Sequence, residues 1–113
     1  MPRYDKLIRD GIPTILTDQG LTFIVETYAP AQFRAALRAK LDEEVGEFLD
    51  AADDNAALEE LADILEVVSA LATEYGADLP IVERIRGEKA AARGTFTRQL
   101  RLIETSERSD RRS

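Results

Sequence analysis

Two carboxylate pairs, Glu44 with Glu47 and Glu60 with Asp63, are each spaced i to i+3 on strongly helix-forming sequence. Side chains at that spacing leave the same side of an α-helix, so two such pairs on an antiparallel hairpin can bring their oxygens to one point. An all-oxygen, anionic cluster of this kind suits a hard divalent cation, and Mg2+ chemistry on phosphates is the leading idea. The competing reading is structural: acids at a helix boundary that cover the rim of a core.

Composition excludes most other chemistry. The chain has no Cys and no His, which removes disulfides, thiol nucleophiles, imidazole bases and ordinary zinc or iron sites. It has no Gly-x-x-x-x-Gly-Lys loop and no Gly-x-Gly-x-x-Gly, and Ser69 has no histidine partner. Carboxylates, amines, hydroxyls or a metal must do the work. A formal net charge of -7 argues against general nucleic-acid binding. From Asp42 to Glu66 every charged side chain is acidic, whereas most Lys and Arg lie before Arg38 or from Arg84 onward. That segregation suits a polyanion held through metal ions and cations; the plainer alternative is a solvated helix face with a basic tail. No apolar run approaches the roughly 20 residues of a membrane span, and the opening Met-Pro-Arg-Tyr-Asp-Lys has no secretory apolar region. The expected location is cytoplasmic, with no membrane partner.

The elements that must position the acids are helices. At 113 residues the chain reads as one mainly α domain over residues 1–104, with a polar, frayed tail over 105–113. Residues 12–19, with Pro13 near the start and Gly20 after the end, predict a short helix. Pro30 opens a long helix over residues 31–52, and Asp54 or Asn55 caps a second over 56–75, stopped by Gly76. Pro80 opens a third, shorter helix that Gly94 closes. Residues 21–28 and 96–103 carry β-branched, aromatic or alternating apolar residues and predict a minor two-stranded element. At about 100° per residue, Leu37, Leu41, Val45, Phe48, Leu49 and Ala52 form one stripe, with Glu44 bordering it and Lys40 and Glu47 on its flank. On the next helix Leu58, Leu61, Ile64, Leu65, Val68, Leu71 and Ala72 form a wide apolar arc with Glu60 at its edge and Asp63 beyond. An arc that broad needs a second layer of helices, so a homodimer or higher homo-oligomer in a helical bundle is expected.

The runs Lys40-Leu-Asp-Glu-Glu-Val-Gly-Glu-Phe-Leu and Glu59-Glu-Leu-Ala-Asp-Ile-Leu-Glu resemble the MazG-like branch of the all-α nucleoside triphosphate pyrophosphohydrolases, marked by Glu-x-x-Glu and a later Glu-x-x-Asp. Lys6-Leu-Ile-Arg-Asp-Gly-Ile-Pro and Glu88-Lys-Ala-Ala-Ala-Arg-Gly-Thr-Phe are similar to short members labelled phosphoribosyl-ATP pyrophosphohydrolase-like. Two departures stand out: Gly11, where Lys is more usual, and Gly46, which costs the helix about 1 kcal/mol against Ala and suggests close helix packing. The resemblance implies hydrolysis of a nucleotide between the α and β phosphates to a monophosphate and pyrophosphate. It makes Glu44, Glu47, Glu60 and Asp63 ligands of Mg2+, with Mn2+ as a substitute, and Glu43 either a water-orienting carboxylate or one that supports the ligands from behind. Lys89 and Arg93, four apart on one helical face, become phosphate-binding residues; without the resemblance they are cations complementing a helix C-terminus. Lys40 is a weaker candidate for the nucleotide, and an i to i+4 partner of Glu44 otherwise; Lys6 and Arg9 are open in the same way. The alternatives are a phosphoribosyl-ATP pyrophosphohydrolase of histidine synthesis and a non-catalytic helical interaction module.

Overall fold

The computed structural model describes residues 4–107. Four helices follow in order: α1 Ile12–Asp18, α2 Pro30–Leu49, α3 Asp54–Glu74 and α4 Leu79–Arg93. The all-α class expected from the sequence is what forms. The chain divides into a first unit that ends at Val82 and a second that begins at Glu83. Of the polar tail expected over 105–113, residues 108–113 lie outside the described residues.

Local chemistry explains the helix ends. Pro30 occupies the first turn of α2, where a missing N–H costs nothing, and Ala29 before it is extended. The cap of α3 is Asp53, ahead of both expected candidates, Asp54 and Asn55: its Oδ1 accepts from Ala56 N at 2.8 Å. Asp78 does the same for α4, accepting from Ile81 N at 3.0 Å. Gly76 stops α3 at φ 79, a left-handed conformation that other residues resist, while Ala77 N donates back to Ala72 O at 2.8 Å.

Helices α2 and α3 pack together as the hairpin of the first unit. Their connection is too short for anything but an antiparallel return. At the open end, Arg34 of α2 donates to Glu74 O at 2.6 Å and lies 4.6 Å from the ring centroid of Tyr75. Leu37 (4% exposed), Val67 and Ala72 are buried in the seam.

Three expectations change. The minor β element over 21–28 and 96–103 does not form, and no strand occurs among the described residues. Strand propensity needs a hydrogen-bonded partner to act on. In the later segment Gln99 also turns to φ 57, which breaks any extended run. The α2 stripe is centred differently, since Val45 and Leu49 (73% exposed) face outward and Glu44 is buried instead. Gly46 marks no close approach, because a Cβ there would meet nothing within 4 Å.

Candidate metal centre

Helical spacing puts the acids into the seam. Glu44 lies seven residues after Leu37, and Glu60 seven before Val67; seven residues fall about 20° short of two full turns. Each acid therefore shares the stripe of a buried apolar residue. Glu44 is only 7% exposed, and Glu60 and Asp63 are half-buried. Carboxylate oxygens of Glu44, Glu60 and Asp63 all lie within 4.8 Å of one another. Glu44 also belongs to a second such group with the exposed Glu43 and Glu47 on the same helix.

The electrostatics are those of crowded anions. Glu60 Oε2 is buried without a hydrogen-bond partner among the described residues, a costly state for a polar atom. Burial first, then the neighbouring Glu44 carboxyl and the charges of Glu47, Glu44 and Asp63, push the Glu60 carboxyl above its ordinary value. Glu47 is raised too, chiefly by the charge of Glu44 and then by burial. Two cations answer part of this charge. Lys40 Nζ lies 3.2 Å from Glu43 Oε1 and 3.5 Å from Glu44 Oε1. Burial works to lower the Lys40 pKa, but its hydrogen bond to Glu43 and the charges of Glu43 and Glu44 outweigh that and hold it above 10.5. Arg9 Nη2 donates to Asp63 Oδ1 at 2.7 Å.

These residues fit a divalent cation. The donors are all anionic oxygens, one of them is buried without a partner, and their mutual repulsion is what a hard cation relieves. Glu44, Glu60 and Asp63 would hold it, with Glu47 next to them through Glu44. Lys89 and Arg93 are exposed on α4, one turn apart. Arg9 was left open by the sequence; its signal is a cation in the opening segment, outside the hairpin that carries the acids.

A family model for phosphoribosyl-ATP pyrophosphohydrolase matches residues 15–88, well over half of the chain and all five of the acids above. The chain belongs to that family. Arg9, Lys89 and Arg93 lie outside the matched span. An uncharacterized protein of Mycolicibacterium smegmatis is 44% identical over 54 residues, which cover 48% of this chain and 55% of that protein. The chain thus spans about half the length of that curated relative. No solved structure matches it significantly. Among the described residues no helix is long and apolar enough to cross a membrane.

Proposed function

We propose that the protein is a Mg2+-dependent nucleotide pyrophosphohydrolase, with Mn2+ as a substitute, that cleaves a nucleoside triphosphate between its α and β phosphates. The observation that carries this is the convergence of Glu44, Glu60 and Asp63 from two helices, within 4.8 Å, around a buried oxygen that has no partner among the described residues. Membership in a pyrophosphohydrolase family supports it.

A cation held there supplies charge neutralisation for phosphate oxygens and polarises a water for attack. The chain's own residues do the rest. Glu43 is exposed beside Glu44, and Lys40 occupies its Oε1; its Oε2 orients the attacking water and takes its proton as the bond to the α phosphorus forms. The bond from that phosphorus to the bridging oxygen breaks, and pyrophosphate departs with the electron pair. Lys40, Lys89 and Arg93 bind phosphate oxygens, the last two as a pair on one face of α4. Residues 1–104 act as one functional domain, in the cytoplasm, with no role in general nucleic-acid binding.

The substrate has a second reading. The family model is that of phosphoribosyl-ATP pyrophosphohydrolase, and phosphoribosyl-ATP presents the same α–β anhydride to the same residues. We also propose assembly as a homodimer or higher homo-oligomer. Leu58 (63% exposed), Leu61 and Leu65 form an apolar row on α3 that no described residue covers, and Val45 and Leu49 on α2 are exposed as well. Covering that row is the natural role of a second copy.

Incubation with Mg2+ and a panel of ordinary dNTPs, modified dNTPs and phosphoribosyl-ATP, resolved by chromatography, tests the reading. Monophosphate and pyrophosphate from at least one member support it and name the substrate. A folded protein silent on the whole panel, with Mn2+ also tried, points instead to a non-catalytic interaction module.

A further inference from the structure

Arg9 comes to the carboxylates from outside the hairpin. Its Nη2 donates to Asp63 Oδ1 at 2.7 Å across a sequence separation of 54 residues. Its carbonyl accepts from Ile12 N at 3.1 Å, so its backbone is tied to the first turn of α1. The arm is anchored while its side chain stays 58% exposed. An exposed ion pair of this kind contributes too little to stability for its worth to lie there. A guanidinium carries five N–H donors in a planar fork, and a single hydrogen bond to Asp63 leaves most of that fork for other acceptors.

We infer that Arg9 is a polyphosphate-binding residue, taking phosphate oxygens of a nucleotide held at Glu44, Glu60 and Asp63. This rests on the pyrophosphohydrolase reading above. A divalent cation and the Arg9 guanidinium on the same Asp63 carboxylate repel one another, and an anion placed between them relieves that repulsion. A pyrophosphate group is such an anion, and its paired oxygens match the fork. Lys40 guards the α2 side of the cluster, with Nζ within 3.5 Å of Glu44, and Arg9 guards the α3 side. Phosphates at the cluster therefore meet a cation on either hand.

Titration calorimetry on the full chain tests this, first with Mn2+ alone and then with inorganic pyrophosphate added to the Mn2+-loaded protein. It is run for wild type, Arg9→Lys and Arg9→Ala, each with a thermal melt. All three bind Mn2+, the variants no more weakly than wild type. Pyrophosphate affinity falls about tenfold or more in Arg9→Ala, and by less in Arg9→Lys, which keeps the charge without the fork. Equal pyrophosphate affinity in all three overturns the inference and leaves the metal centre standing. Loss of Mn2+ affinity or of melting temperature together with pyrophosphate binding in Arg9→Ala makes Arg9 a structural prop and overturns it as well. A wild type that binds neither probe overturns the reading of the site, and the inference with it.

Discussion

Replacing Glu44 with Gln should stabilise the metal-free protein while removing its response to metal. Glu44 is 7% exposed, and one of its oxygens lies within 4.8 Å of oxygens of Glu60 and Asp63, so it is a buried carboxyl group among carboxyl groups. The amide keeps the shape, discards the charge and offers N–H donors to the neighbouring carboxylates. A hydrogen bond to a charged acceptor contributes about 1.5 to 3 kcal/mol. Against that stands the lost contact with Lys40, an i to i+4 pair of about 0.3 to 0.5 kcal/mol. A net gain of about 1 to 2.5 kcal/mol raises the melting temperature of a domain this size by roughly 5 to 12 °C. Melts in EDTA read that gain directly. Melts in Mn2+ then separate the two proteins: wild type rises by mass action, about 2.7 kcal/mol at a hundredfold excess over Kd, and Glu44→Gln does not. A variant that melts below wild type in EDTA and still gains fully from Mn2+ would refute the reasoning, because Glu44 would then be neither strained nor a ligand.

Other expectations follow from the same geometry. Glu60, raised first by burial and then by its carboxylate neighbours, and Glu47, raised first by Glu44, hold protons above the ordinary 4.5 in the folded state. Between that value and the raised folded values the native protein binds more protons than the unfolded chain, so metal-free stability falls as pH rises through the window. Melts in EDTA across that range check the sign, and stability that climbs there contradicts it. Gly46→Ala should stabilise the protein by about 0.5 to 1 kcal/mol, since nothing lies within 4 Å of the added methyl; urea unfolding that shows a loss would mean another copy packs on that face. Changing Leu58, Leu61 and Leu65 together to Ser should dissociate the assembly in sedimentation without unfolding the hairpin, and a wild type already monomeric at micromolar concentration removes the proposed interface.

The hairpin was legible because its signals are local. Pro30, the acidic stretch before α3, Gly76 and Pro80 punctuate the sequence, and the helices fall within a few residues of where those signals put them. The β element was not legible, because composition at residues 21–28 and 96–103 states a preference and says nothing of a partner. For the carboxylates, the i to i+3 spacing gave each pair a common side, but depth depends on which stripe faces the other helix. Val45 and Leu49 suggested a seam centred on themselves; the packing around Leu37 and Val67 turned it by a fraction of a turn and drew Glu44 inside. Arg9 illustrates the limit most plainly. Its contact with Asp63 spans 54 residues, and no periodicity reports on a pair so far apart.

The most direct measurement follows one hydrolysed nucleotide in water labelled with heavy oxygen, using wild type and Glu60→Ala in Mg2+, with products separated by chromatography and weighed by mass spectrometry. The account predicts that wild type releases pyrophosphate and puts the label in the monophosphate, as attack on the α phosphorus requires, and that Glu60→Ala releases neither product. Release of inorganic phosphate, label in the pyrophosphate, or full activity in Glu60→Ala would contradict it.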